Sequence, residues 1–272
     1  MALTRRSFAK LTLAGVAACA ALPAAAAPKS RLIDERWTRS GAGGDPDYGT
    51  WAKVLSAHVR PGAQGVNMVD YAALKASGEI DRVVAGMAAA QPTAMGRDAA
   101  MAYWINLYNA VTIQVVLEEY PIDSIRKVRG GLFNTGPWGD ALVEVEGQPL
   151  SLDDIEHGIL RPIWNDPRIH YGVNCASIGC PNLALAPYTA ASLNGMLTEG
   201  AFAYVNDPRG AAPEEGGLVV SSIYEWFKED FGDSDAGILA HLGQYAKGGL
   251  KEVLAGGPRI VDDRYDWAIN AA

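Results

Sequence analysis

The stretch from about Arg97 to Glu119 constrains the fold more than any other part of the chain. It reads RDAAMAYWINLYNAVTIQVVLEE and ends just before Pro121. Its centre, Tyr103 to Ile113, is apolar on every side of a helical projection. A helix without a polar face belongs in the middle of a protein, with other elements packed round it. Two asparagines, Asn106 and Asn109, stand three residues apart on one face of it. Asparagine is a poor helix former, and burying its amide without partners costs about 2–7 kcal/mol. Something must therefore satisfy both side chains. The choice lies between the backbone of a neighbouring loop and a site that they line or brace.

The remaining patterns describe what surrounds this helix. Helical spacing predicts helices over Asp47–Val59 and Glu79–Ala89, a helical turn at Ala72–Ser77, and helices over Thr189–Asn206 and Ala236–Ala246. Ser151 caps a helix that carries Asp153 and Asp154 in its first turn and runs to about Trp164. Ser222 and Glu225 form a capping box for a helix ending near Phe231. Alternation predicts short strands at Val66–Tyr71, Leu142–Val145, Arg168–Asn174, Leu218–Val220 and Arg259–Val261. The Gly/Pro-rich piece Arg209–Gly217 has a disordered look. The pattern is α+β: a single helix-rich domain with a small mixed or antiparallel sheet, over residues 47–270, after a flexible segment 28–46.

The first 27 residues read as a twin-arginine signal peptide. Arg5-Arg6 are followed by Ser7, Phe8 and Lys10, then an Ala-rich apolar run, then Ala24–Ala27. Charged, apolar and small-residue regions in that order make a secretory signal, and the paired arginines choose the route. The run is shorter than the roughly 20 residues that a membrane span needs. The expected location is periplasmic or otherwise exported. Cys19 offers a lipid attachment point as an alternative. No membrane span is expected in the mature chain. A net charge of −8 lacks the basic stripe that binding phosphates demands, so no nucleic acid is expected as partner.

With Cys19 removed, Cys175 and Cys180 remain. They share one stretch with His157 and His170, and three chemistries compete for it. Cys175 as nucleophile with His157 as base would make a hydrolase or acyl-transfer site for amide or thioester bonds, with His170, Glu156, Asn106 and Asn109 around them. The histidine would favour the thiolate, and Asn174 with the Ala176–Gly179 amides would bind an oxyanion. The four residues His157, His170, Cys175 and Cys180 would otherwise suit tetrahedral zinc, the one cofactor considered. Or Cys175 and Cys180 form a disulfide in a non-catalytic envelope binding or scaffolding module. The ligand would be an unidentified small molecule or peptide-like substrate. His58 and His241 look like ordinary surface or helix residues.

Three blocks resemble the domain-of-unknown-function family 547. They are Tyr103-Trp104-Ile105-Asn106-Leu107-Tyr108-Asn109-Ala110, the run Leu150–Arg161, and Asp166–Pro181 with both cysteines. Val69-Asp70-Tyr71 and Tyr265-Asp266-Trp267-Ala268-Ile269-Asn270 resemble it as well, so the likeness spans roughly Asp47 to Asn270. It implies a single soluble or exported domain and no particular activity. Ile178-Gly179 stand where the resembled pattern has a basic residue and a serine, so a cation to steady a Cys175 thiolate is absent from this loop.

Overall fold

The computed structural model describes residues 28–129 and 136–272. The signal-like stretch, with Cys19, lies outside the described residues. The apolar helix α4 spans Arg97–Glu119, and residues 99–113 along it are all buried. It is long and apolar enough to cross a membrane, but 94% of its apolar window is buried inside the protein, where it serves as the axis of the fold. Chain order before it runs α1 (Gly49–His58), β1 (Val59–Pro61), β2 (Asn67–Val69), α2 (Tyr71–Ser77) and α3 (Glu79–Ala88). The helix α3 lies along α4, and α1 packs on α3.

After α4 come β3 (Val143–Val145) and β4 (Gln148–Leu150), an antiparallel hairpin pairing Val143 with Leu150. Its turn residues Glu146 and Gly147 both have positive φ (47° and 77°). That is the turn whose twist suits a two-residue hairpin. Glu146 tolerates the strained position because its carboxylate accepts hydrogen bonds from the amide and hydroxyl of Thr93. The helix after Ser151 opens with the expected cap. Ser151 Oγ accepts from the Asp154 amide, and the Asp154 carboxylate accepts from the Ser151 amide.

That helix is not regular. It runs as α5 (Leu152–Ile155), a π-helical turn (Glu156–Leu160) and α6 (Arg161–Trp164). The cause lies in the sequence. Pro162 has no N–H to give the Gly158 carbonyl, and the Arg161 amide bonds to the Glu156 carbonyl instead of that of His157. Two carbonyls are thereby freed. The amides of Arg31 and Ile33 take them, donating to His157 (2.9 Å) and Gly158 (3.2 Å). A Cβ on Gly158 would sit 2.6 Å from the Ile33 side chain, so a larger residue there would push the strap's Ile33 aside. Segment 28–46, expected to be flexible, is thus bonded to the domain, with Trp37 buried within it. The π turn supplies the reason: it leaves acceptors that this segment satisfies.

The expected strand Arg168–Asn174 is instead a 3-10 helix over Pro167–Tyr171. Asp166 accepts a hydrogen bond from the Arg168 amide at its start, and Pro167 sets a turn conformation. Beyond it lie α7 (Leu193–Val205), β5 (Ala211–Glu214), β6 (Gly217–Ser221), α8 (Ser222–Trp226), α9 (Asp235–Tyr245), α10 (Gly248–Ala255) and β7 (Ile260–Arg264). The piece that looked disordered is the β5–β6 hairpin. The cap of α8 is Ser221, one residue earlier than expected. The three strands form one mixed sheet, β6 antiparallel to β5 and parallel to β7. With the two hairpins this is the expected helix-rich α+β fold.

Two apolar cores result. The larger surrounds α4, and the smaller is built from α7, the mixed sheet and α9. Ile169 and Val173 belong to the first, and Tyr171 between them belongs to the second. The chain entering Cys175 is therefore sewn through both.

Candidate functional site

The two asparagines of α4 are satisfied by neighbouring backbone. Asn106 accepts from the Tyr188 amide and from Trp51 Nε1, and donates to the Tyr188 carbonyl at 2.7 Å. Asn109 donates to the Gly172 carbonyl (2.9 Å) and accepts from the Asn174 amide (2.8 Å). Asn106 thus holds a loop away from the cysteines, and Asn109 fixes the backbone that leads into Cys175.

The histidines sit in a buried ionic network. His170 Nε2 lies 2.6 Å from Asp230 Oδ2, and its Nδ1 lies 3.6 Å from Glu156 Oε1. Arg161 donates to both Asp230 (2.6 Å) and Glu229 (2.6 Å), and its Nη1 is 3.1 Å from His157 Nδ1. His157 Nε2 is 3.5 Å from Asp153. The Phe227 ring stacks on His170 at 4.2 Å and carries the Arg161 guanidinium at 5.0 Å. Burial disfavours the imidazolium of His170, but the Asp230 and Glu156 carboxylates outweigh it and raise its pKa. Burial likewise opposes ionisation of Glu156, yet the two neighbouring histidines and a Tyr108 hydrogen bond bring it down to about 2. Asp230 follows the same logic through His170 and Arg161, also reaching about 2. Opposite charges close the network on itself.

Cys175 and Cys180 are free thiols with sulfurs 3.2 Å apart. The Cys175 amide donates to Cys180 Sγ at 3.1 Å. Cys175 Sγ also lies 2.9 Å from the Tyr265 hydroxyl and 3.2 Å from Ser177 Oγ, and those two oxygens are 2.8 Å apart. The Tyr265 ring is clamped between Trp226 (4.8 Å) and Trp267 (4.7 Å), which fixes its hydroxyl. Hydrogen bonding from Cys180 lowers the Cys175 pKa. Burial works against this, and Ser177 and Tyr265 add to it. Burial pushes Cys180 well above the ordinary thiol value, and the neighbouring Cys175 adds to the rise. The two thiols are unequal: Cys175 is partly exposed and Cys180 is buried. Ala176, next in the chain, is held at φ 61°, a strained conformation for a residue with a Cβ.

An open cleft of about 530 Å³ adjoins this loop, lined among others by Val66, Ile178, Gly179, Arg209 and Tyr265. Arg209 forms part of its wall by donating to the Ile178 and Cys180 carbonyls. Gly179 lies so close to the C-terminal segment that a Cβ there would meet the Asp266 amide at 2.7 Å.

The predicted residues therefore divide into neighbouring groups. His157, His170 and Glu156 share the ionic network, while Cys175 and Cys180 share the thiol pair. Glu156 links them electrostatically, since its charge opposes ionisation of Cys175. The ring nitrogens of His157 face Arg161 and Asp153. The expected oxyanion donors are already engaged. Asn174 Nδ2 donates to the Pro181 carbonyl, and the Ala176, Ile178 and Gly179 amides donate to Asn174, Ala268 and Asp266. The zinc set does not assemble either, because the histidine nitrogens turn to carboxylates and Arg161. Among the described residues no group of three or more His, Cys, Asp or Glu side chains could hold a metal ion. His241 is buried rather than superficial. It bonds the Tyr171 hydroxyl at 2.8 Å, and burial, aided by the His170 charge, lowers its pKa to about 4.

Sequence reasoning missed Tyr265, Ser177, Asp230 and Tyr108. Ser177 lay within the cysteine loop, and the dense Tyr265-Asp266-Trp267 run was a usable signal. Asp230 had none, being far from His170 in the chain.

Residues 92–205 match the family described as "Protein of unknown function, DUF547". The match covers α4 and both cysteines and supports the family resemblance over that part of the chain. No curated protein and no solved structure matches the chain.

Proposed function

We propose that this is an exported protein whose working group is the Cys175 thiol, a nucleophile that Tyr265 connects to the neighbouring cleft. One observation carries the reading: Cys175 is a partly exposed residue whose sulfur is held by Cys180, Ser177 and Tyr265, all of which favour its thiolate. Buried structural cysteines lack such partners and are inert. Tyr265 keeps its proton because burial raises its pKa far above the ordinary phenol value, so it remains a donor when the thiolate forms. The test is the rate of alkylation by iodoacetamide against pH, with peptide mapping to locate the label. Cys175 should react faster than free cysteine at neutral pH and be labelled first. A rate equal to that of free cysteine overturns the reading. Export rests on the twin arginines and is tested separately below.

A second reading, acyl transfer on amide or thioester bonds, draws on Asn270. Its side-chain Nδ2 is buried without a hydrogen-bond partner, while its backbone amide donates to the Ala176 carbonyl beside Cys175. An unused amide donor on the residue bonded to the Cys175 loop is the kind of group that an oxyanion needs. An acetyl group retained on Cys175 after treatment with p-nitrophenyl acetate would support it. Turnover unaffected by Asn270→Ala would count against it.

A further inference from the structure

We infer that Cys175 and Cys180 act together as a dithiol that reduces a disulfide-bonded substrate, with Cys175 attacking and Cys180 resolving. The inference rests on Cys175 being the nucleophile and adds the substrate class. Three features carry it. The sulfurs are 3.2 Å apart, so a shift of roughly 1 Å closes a disulfide, whose bond is about 2.05 Å. Access is unequal: Cys175 is partly exposed and bonded to Tyr265 of the cleft wall, while Cys180, farther along the same loop, is buried. A buried second thiol is out of reach of a bulky substrate but within reach of its neighbour's sulfur. The hydrolytic alternative also lacks its usual parts here, since the His157 nitrogens and most loop amides are engaged elsewhere.

The chemistry balances. The Cys175 thiolate attacks one sulfur of the substrate. A mixed disulfide forms, and the substrate S–S bond breaks to release one thiolate. Cys180 then attacks Cys175 Sγ, the mixed disulfide breaks, and the second substrate sulfur leaves. The Cys180 proton departs on one of the released sulfurs. Two electrons pass from the protein pair to the substrate, and the protein ends as the Cys175–Cys180 disulfide. A dithiol reductant of the surroundings returns it to the starting state by the reverse exchange. Tyr265, hydrogen-bonded to both Cys175 and Ser177, stabilises the thiolate whenever Cys175 is the attacking or leaving sulfur.

The experiment mixes reduced full chain with glutathione disulfide and follows intact mass and released glutathione, with peptide mapping to set Cys19 aside. Wild type should lose the mass of two hydrogens and retain no adduct. Cys180→Ser, and Cys180→Ala if the serine variant does not fold, should stop at a glutathione adduct on Cys175, at least about tenfold more abundant than in wild type. Cys175→Ser should form no internal disulfide. Wild type that keeps the adduct as Cys180→Ser does overturns the dithiol. So does inertness to glutathione disulfide with fast iodoacetamide labelling, which leaves the nucleophile intact. Slow iodoacetamide labelling as well would sink both readings.

Discussion

Asn109 on α4 pins Asn174 at 2.8 Å and, through the other end of the same amide, the Gly172 carbonyl at 2.9 Å. One side chain on the central helix thus sets the backbone just before Cys175. An asparagine is suited to this because it carries a donor and an acceptor a fixed distance apart.

Asn109→Ala should cost about 2–5 kcal/mol, since it leaves a buried amide and a buried carbonyl unpaired. Asn109→Asp retains the acceptor for Asn174 but faces the Gly172 carbonyl with a carboxylate, and should be no better. Urea unfolding measures the loss. At temperatures where the variant is folded, Cys175 alkylation should slow as well. Unchanged stability would show that Asn109 does not hold the loop.

Tyr265→Phe removes one hydrogen bond from the Cys175 thiolate and leaves the aromatic clamp of Trp226 and Trp267 in place. The midpoint of the alkylation pH profile should move upward. The rate at neutral pH should fall by about tenfold, the usual size of one charge-assisted hydrogen bond. Circular dichroism should show the fold of this variant unchanged. A profile superimposable on wild type would remove Tyr265 from the site.

The ionic network predicts a stability maximum in mildly acidic solution. Glu156 and Asp230 have pKa values lowered to about 2 from 4.5 and 3.8. Their contribution is complete above those ordinary values and is lost as pH falls towards 2. The pKa of His170 is raised above 6.5, so its contribution is complete below 6.5 and is lost as pH climbs through the folded value. The urea midpoint should therefore peak between the two limbs. His170→Gln should destabilise by about 3–5 kcal/mol, because it takes the charged partner from buried Glu156 and leaves Asp230 to Arg161 alone, and should abolish the alkaline limb. A midpoint that is flat through the acid limb would contradict the network.

Replacing both arginines of the signal-like stretch, Arg5→Lys with Arg6→Lys, should trap the protein in the cytoplasm as a folded, uncleaved species. Immunoblots of fractionated cells report this. Undiminished export would mean that another route is used.

What could be read before folding was local. The extent of α4, the Ser151 cap and the positions of most helices follow from spacing, caps and prolines close in sequence. The cost of burying Asn106 and Asn109 already announced partners, though not which backbone. His241 was misjudged although Ile238 and Leu242, on one face with it, mark a buried stripe. The strand expected at Arg168–Asn174 failed because alternation also describes a tight turn whose side chains enter two cores by turns. Asp230 reaching His170 and Tyr265 reaching Cys175 join distant parts of the chain. Pairings like these depend on how elements stack, and no local spacing encodes them. The Pro162-driven π turn was legible in principle, since a proline inside a helix always frees an acceptor.

Ile169 and Val173 anchor in the core around α4, whereas Tyr171 anchors in the core of the mixed sheet. The stitch between them leads directly to Cys175. Loosening either core slackens the same few residues, among them Val173, whose carbonyl lies against the buried Cys180 thiol. Partial opening of this kind takes less free energy than global unfolding. The thiol pair is thus an integrity gauge: accessibility of Cys180, read by slow alkylation under native conditions, reports the health of both halves of the molecule at once.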